Sequence, residues 1–279
     1  MSAIEFTDVR RVFQLPSRTA VALDGISLRI AEQEFVAIVG PSGCGKTTCL
    51  RLAAGFDFPS SGAVTVGGRP VRGPGPERAV VFQHFALFPW MTVSANIMLG
   101  LRNCKLPKQE CTERVAEAIE LMKLQGCESA FPHQLSGGMQ QRVAIARAYV
   151  LEPEVLLMDE PFGALDAQTR VGMQEELVRL ARVRPRTVLF ITHAVEEAVY
   201  LADRVVVMTR NPGRIKEIIS VKPIREREAW DRLERIEDVM NQPSFVQLRT
   251  EIWRLLRDEQ RTSEWSRKDG NKPGKENAA

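Results

Sequence analysis

The run Gly40-Pro41-Ser42-Gly43-Cys44-Gly45-Lys46-Thr47 restricts the possible folds of this chain more than any other stretch. It fits G-x-x-x-x-G-K-[ST] in full. It follows a continuous apolar run, Phe35 to Val39, and precedes a stretch from Thr47 to Ala54 that reads as a helix. An uninterrupted apolar run closed by glycine is the pattern of a parallel strand buried on both faces. The glycines let the backbone curl so that successive N–H groups point inward at phosphate oxygens. The helix behind the loop adds the positive end of its dipole. On this reading Lys46 reaches the β- and γ-phosphates and the Thr47 hydroxyl ligates magnesium. Gly40, Pro41, Ser42, Gly43, Cys44, Gly45 and the adjoining Thr48 form the rest of the cradle. An α/β fold with a nucleotide site at a strand–helix turn is expected.

A second signal lies at Val155-Leu156-Leu157-Met158-Asp159-Glu160, four apolar residues closed by two carboxylates. A buried parallel strand delivers such residues to its C-terminal edge, beside the phosphate loop. Asp159 is then placed to hold magnesium, and Glu160 to orient or deprotonate an attacking water. Further strands are expected at Ala63 to Val66, Ala79 to Phe82, Val188 to Ile191 and Val205 to Met208. The first 30 residues, with Ile4, Phe6, Val9, Val21, Leu23, Ile26, Leu28 and Ile30, read as short antiparallel strands. From about Phe85 to Leu151 the spacing turns helical: Val115, Ala118, Ile119 and Met122 share one face, and Met139, Val143, Ala146 and Val150 another. The outline is a parallel α/β core with an antiparallel β subdomain and a helical insertion.

Composition excludes several classes. Apolar residues make up 44% and charged residues 26% of 279, an ordinary globular mix. The longest apolar run is five residues, far short of the ~20 of a membrane-spanning helix. The start, MSAIEFTDVRR, has no secretory h-region. Cys44, Cys49, Cys104, Cys111 and Cys127 form no C-x-x-C pair and read as free thiols of a reducing cytosol. A net charge of +3 gives no case for nucleic-acid binding or lipid insertion.

Leu135-Ser136-Gly137-Gly138-Met139-Gln140-Gln141-Arg142 resembles the signature of the ATP-binding subunits of ABC transporters. The physical reading agrees: Ser136 is a natural N-cap, and Gly137 and Gly138 allow an anion close to the backbone. The resemblance covers about residues 4 to 220 and implies a P-loop ATPase cassette hydrolysing ATP to ADP and phosphate. It implies that the signature completes the site of a second ABC subunit across a head-to-tail dimer. It further implies that Gln83 contacts magnesium and senses the γ-phosphate, that Asp166 belongs to the D-loop Gly163-Ala164-Leu165-Asp166, and that His193 contacts the γ-phosphate. Phe13 matches the aromatic that stacks on adenine, with a core position as the alternative. His84 and His133 fit no catalytic position and read as structural. Catalysis then rests on Glu160, His193 and Gln83. ATP and Mg2+ are the expected cofactors, with Thr47, Gln83 and Asp159 on the metal.

The family's transmembrane subunits insert a coupling helix into a groove of the cassette. The aromatic stretch Phe85-Ala86-Leu87-Phe88-Pro89-Trp90 lines that groove, packs the insertion internally, or does both. Local phrases such as Gly73-Pro74-Gly75-Pro76-Glu77-Arg78, Leu87-Phe88-Pro89-Trp90 and Asn211-Pro212-Gly213-Arg214-Ile215 resemble the importers of nitrate, sulfonate and taurine. The partners implied are two permease subunits and, indirectly, a substrate-binding protein, at the cytosolic face of the cell membrane. The solute itself is not readable; pyrimidine precursors of thiamine stay open. The alternative is an ABC-type ATPase in DNA repair or translation. The expected organisation is a cassette over 1–222, with its helical insertion at about 85–151. A helical extension over 223–279 follows, with a disordered end. Trp230, Leu233, Ile236 and Val239 form one stripe of that extension, and Phe245, Leu248, Ile252 and Leu255 another. The extension packs on the cassette or serves as a docking or regulatory element.

Overall fold

The computed structural model describes residues 2–16, 18–233 and 235–269, with side chains up to Glu259. The expected disordered end falls in 270–279, outside the described residues. Two sheets organise the chain. One is antiparallel and made from β1 (Ile4–Leu15), β2 (Arg18–Ile30), β4 (Ser61–Val66) and β5 (Arg69–Pro70), in the order β2-β1-β4-β5. The other runs β10-β9-β3-β8-β7-β6, from β3 (Phe35–Val39), β6 (Arg78–Val81), β7 (Val155–Asp159), β8 (Thr187–Ile191), β9 (Arg204–Met208) and β10 (Ile215–Ser220).

In the second sheet β6, β7, β8, β3 and β9 run parallel. All five residues of β3 and of β8 are buried, as the apolar runs Phe35 to Val39 and Val188 to Ile191 require. Every strand of this core that the sequence pattern predicts is present. β10 was not predicted. It closes the sheet as an antiparallel edge against β9, and its sequence IKEIIS hides the strand because only Ile219 is buried. The two N-terminal strands are 12 and 13 residues long, longer than the short strands expected. Their alternation breaks between Phe6 and Val9 because Asp8 takes a positive φ of 45° and the register shifts there.

α1 (Lys46–Ala54) follows β3 and packs between the two sheets. The helical insertion lies between β6 and β7: α2 (Val93–Met98), α3 (Lys108–Leu121) and α4 (Gly137–Tyr149). Val115, Ala118, Ile119, Met122, Val143, Ala146 and Val150 are buried in one cluster with the sheet residues Leu156 and Phe190. Met139 is only partly buried, since it lies in the first turn of α4. α5 (Ala167–Val183) and α6 (Val195–Leu201) complete the crossovers of the sheet.

The C-terminal segment holds α7 (Lys222–Arg227), α8 (Ile236–Met240) and α9 (Pro243–Asp269). The stripe Trp230 to Val239 is not one helix. A 3-10 turn at Trp230–Arg232 and the short α8 carry it, with the extended backbone of Leu233 and Arg235 breaking the path between them. The second stripe is helical but buries Leu256, with Leu255 only packed against its side. Stripes ending at 255 and at 256 each cover about 80° of a 3.6-residue helix, so the rotation at which α9 docks, and not the spacing, brings Leu256 to the core. Trp230, Val239, Phe245, Leu248, Ile252 and Leu256 share one apolar cluster with the sheet. Arg225 donates to the carbonyls of Tyr200 and Ala202 at 2.9 and 2.7 Å, capping the C-terminal end of α6. From Lys222 to Leu256 the described residues are therefore packed on the cassette. Among the described residues no helix is long and apolar enough to cross a membrane.

Candidate functional site

Gly45 holds φ at 95° in the turn from β3 into α1. A Cβ there would lie 2.5 Å from the Leu23 side chain, so only glycine fits. Cys44 is buried behind the loop, and burial pushes its thiol up. Ser42, Gly43 and Thr47 are exposed, and Pro41 and Thr48 are half-buried. Lys46 is buried, and its Nζ donates to Gly40 O at 2.8 Å and Pro41 O at 3.4 Å. The ammonium therefore sits inside the curl of its own loop, against two of its carbonyls.

β7 lies directly beside β8, with Asp159 paired in register with Ile191. Asp159 accepts a hydrogen bond from the Thr47 hydroxyl at 3.2 Å. Burial raises its carboxyl above the usual range, and the Thr47 hydroxyl pulls the other way. Two hard oxygen donors, one a desolvated carboxylate, suit a magnesium ion. Glu160 follows in an uncommon conformation, φ 44°. Such a backbone costs on the order of 1–3 kcal/mol and persists only where the surroundings enforce it. Here the Glu160 N–H donates to Ile191 O at 2.8 Å and the Glu160 carbonyl accepts from Gly163 N–H at 3.0 Å. His193, directly beyond β8, has its Nδ1 3.0 Å from Glu160 Oε2.

Gln83 is exposed beside the same turn. Its Nε2 lies 3.5 Å from where a Cβ on Gly163 would be. It adjoins Glu160 and is not hydrogen-bonded to Thr47 or Asp159. Phe13 is half-buried on β1 and joins neither apolar cluster, so its core alternative does not hold. His84 and His133 are exposed, and His133 stacks on Phe131 at 5.9 Å.

Ser136 caps α4 and accepts from Met139 N–H at 3.3 Å. Gly138 is buried for a reason the sequence did not give. A Cβ there would lie 2.4 Å from the Thr169 methyl. The residue lets α4 and α5 begin side by side, while Gly137 stays exposed. Asp166 caps α5, accepting from Thr169 N–H at 3.0 Å, and this bond holds its carboxyl below the usual range. Ser136, Gly137 and Asp166 are thus exposed at the two adjoining helix starts, with the buried Gly138 between α4 and α5. Among the described residues no hydrogen bond joins them to Lys46, Thr47, Asp159 or Glu160. Sequence reasoning missed Glu197, buried on α6, which accepts from Thr192 Oγ1 at 2.6 Å and Gln174 Nε2 at 3.1 Å. These bonds fix the residue next to His193. The available signal was a carboxylate in the first turn of α6.

A parallel sheet with a phosphate loop, an acidic strand end and a helical insertion bearing its own capped N-terminus defines a P-loop ATPase cassette. The chain belongs to the ABC transporter family: the family profile described as ABC transporter matches residues 23–163. It is 47% identical over 256 residues to an ABC transporter ATP-binding protein of Methanocaldococcus jannaschii, covering 92% of each chain. It is 44% identical over 255 residues to the nitrate import ATP-binding protein NrtD of Synechocystis sp., covering 91% of this chain and 95% of that one. The solved dimeric cassette MJ0796, in a post-hydrolysis state with ADP and Pi, superposes with a TM-score of 0.67. That cassette is 28% identical, and the match covers 78% of this chain and 98% of the other. This protein is an ATP-binding, ATP-hydrolysing subunit of an ABC transporter.

Proposed function

We propose that the chain energises import of a small anion of the nitrate, sulfonate or taurine kind through separate permease subunits. The observation that carries the catalytic part is the convergence of Lys46, the Thr47–Asp159 pair and the Glu160–His193 pair at one sheet edge. Thr47, Asp159 and, after a side-chain rotation, Gln83 would hold magnesium, which neutralises phosphate charge when bound. Lys46 exchanges its loop carbonyls for β- and γ-phosphate oxygens. Glu160 takes the proton of the attacking water while His193 leaves Glu160 for the γ-phosphate. Phe13 stacks on the adenine. Ser136, Gly137, Gly138 and Asp166 serve the site of a second copy, because these two helix starts stand apart from the phosphate loop of their own chain. Loss of the γ-phosphate then releases the dimer.

The permease reading rests on exposed rings. Trp90 is 69% exposed and meets Phe88 edge-on at 5.4 Å. The fully buried Asn96 fixes this segment, accepting from Phe88 N–H at 2.8 Å and donating to Met91 O at 3.0 Å. Phe85 and Leu87 turn inward, so the stretch both packs the insertion and presents rings. A groove of about 590 Å³ lined by Met91, Met98, Leu99 and Leu101 lies alongside. Nitrate import by a 44% identical relative supports the solute class. Trp90→Ala is expected to leave ATP binding intact and to reduce co-purification with the permease subunits; normal recovery of the complex counts against the docking role. In the assembled transporter with its binding protein, nitrate or an alkyl sulfonate is expected to stimulate ATPase activity. Absence of stimulation by either overturns the solute class.

A further inference from the structure

We infer that Arg11 is a positioning residue for the adenine base, acting through the Phe13 ring from the face opposite the base. The inference rests on the reading of Phe13 as the base platform. Arg11 stands opposite Leu23 in the β1–β2 register, and the Leu23 side chain abuts Gly45 of the phosphate loop. Residues directly opposite in an antiparallel pair share a face. Arg11 therefore projects to the side of the sheet that carries the phosphate loop. Its guanidinium carbon lies 4.5 Å from the Phe13 ring centroid, which puts Phe13 on that side too.

The cation is held in place. Arg11 Nη2 is 2.7 Å from Asp57 Oδ1, in the loop after α1, and both side chains are largely buried, at 23% and 15% exposure. Arg11 Nε is buried without a hydrogen-bond partner. The guanidinium thus has one carboxylate and one ring face as its partners, with its Nε shut off from water. A plane held between a fixed anion and a ring cannot turn freely, and it presets the ring. Two consequences follow for a stacked purine. The Phe13 ring needs little further ordering on binding. The charge behind it also draws π-electron density away from the open face, which otherwise repels the π cloud of the base.

The test compares ATP with inorganic tripolyphosphate, which has the phosphates and no base. Affinities are measured by equilibrium dialysis on the full chain, with EDTA to stop turnover. Arg11→Met is expected to weaken ATP about two- to fivefold, the range of an exposed to partly buried cation–π contact, and to leave tripolyphosphate unchanged. Asp57→Asn, which frees the guanidinium without removing it, is expected to act in the same direction. It also serves if Arg11→Met does not fold. Phe13→Ala is the control for the platform. If Phe13→Ala leaves ATP affinity unchanged, the platform reading fails and the inference goes with it. If Phe13→Ala weakens ATP while Arg11→Met and Asp57→Asn do not, Arg11 alone is wrongly assigned. Tighter ATP binding by Arg11→Met also overturns the inference, because the guanidinium then occupies the seat of the base. Equal weakening of ATP and tripolyphosphate reduces Arg11 to a structural residue.

Discussion

Glu160→Gln is expected to bind ATP as the parent does and to hydrolyse it at least ~10²-fold more slowly, the usual contribution of a general base. The substitution keeps size and planarity. The amide can still pair with His193 Nδ1, and the backbone bonds that enforce φ 44°, Glu160 N–H to Ile191 O and Gly163 N–H to Glu160 O, do not involve the side chain. What is lost is the ability to take a proton. A protein that binds ATP and cannot cleave it should remain in the ATP-bound dimer, so gel filtration with ATP and magnesium should show a stable dimer. Phosphate release measures turnover directly. A rate within a few-fold of the parent refutes Glu160 as the base and shifts the role to the His193 side of the pair.

Lys46→Ala is expected to cost about 10- to 100-fold in ATP affinity. The ammonium is the one buried cation of the phosphate loop, and charge-assisted hydrogen bonds contribute ~1.5–3 kcal/mol. The change also strips Gly40 O and Pro41 O of their donor, so a modest loss of stability accompanies it, about 1 kcal/mol. Filter binding with labelled ATP reads affinity, and a thermal melt without nucleotide reads stability. Equal ATP binding by the parent and Lys46→Ala sinks the assignment. A melt lowered far more than this would show that the lysine serves the loop itself rather than the phosphates.

The site was legible where chemistry and local structure coincide in the chain. Gly40 to Thr47 names its own strand, turn and helix, because only glycine at Gly45 permits the turn. Val155 to Glu160 does the same, because a four-residue apolar run fixes both the strand and the end at which its carboxylates emerge. The tail was less legible for a physical reason. β10 buries only Ile219, so period-two alternation has nothing to report. Whether Leu255 or Leu256 faces the core depends on the rotation of α9 as it docks, which no local spacing fixes.

By itself the sequence determined the class of fold, the phosphate loop, the acidic strand end and the order of the motifs. Each is a contiguous segment whose function follows from backbone conformation and a few adjoining side chains. The tertiary structure alone decided which distant groups meet. Thr47 and Asp159 are 112 residues apart in sequence, and Glu160 and His193 are 33 apart. Parallel strands bring them together at one edge, a contact set by sheet order and register rather than by any local pattern. The same holds for Gly138 against Thr169 and for Arg11 between Phe13 and Asp57, where packing of whole elements gives a residue a task its neighbours in sequence do not announce.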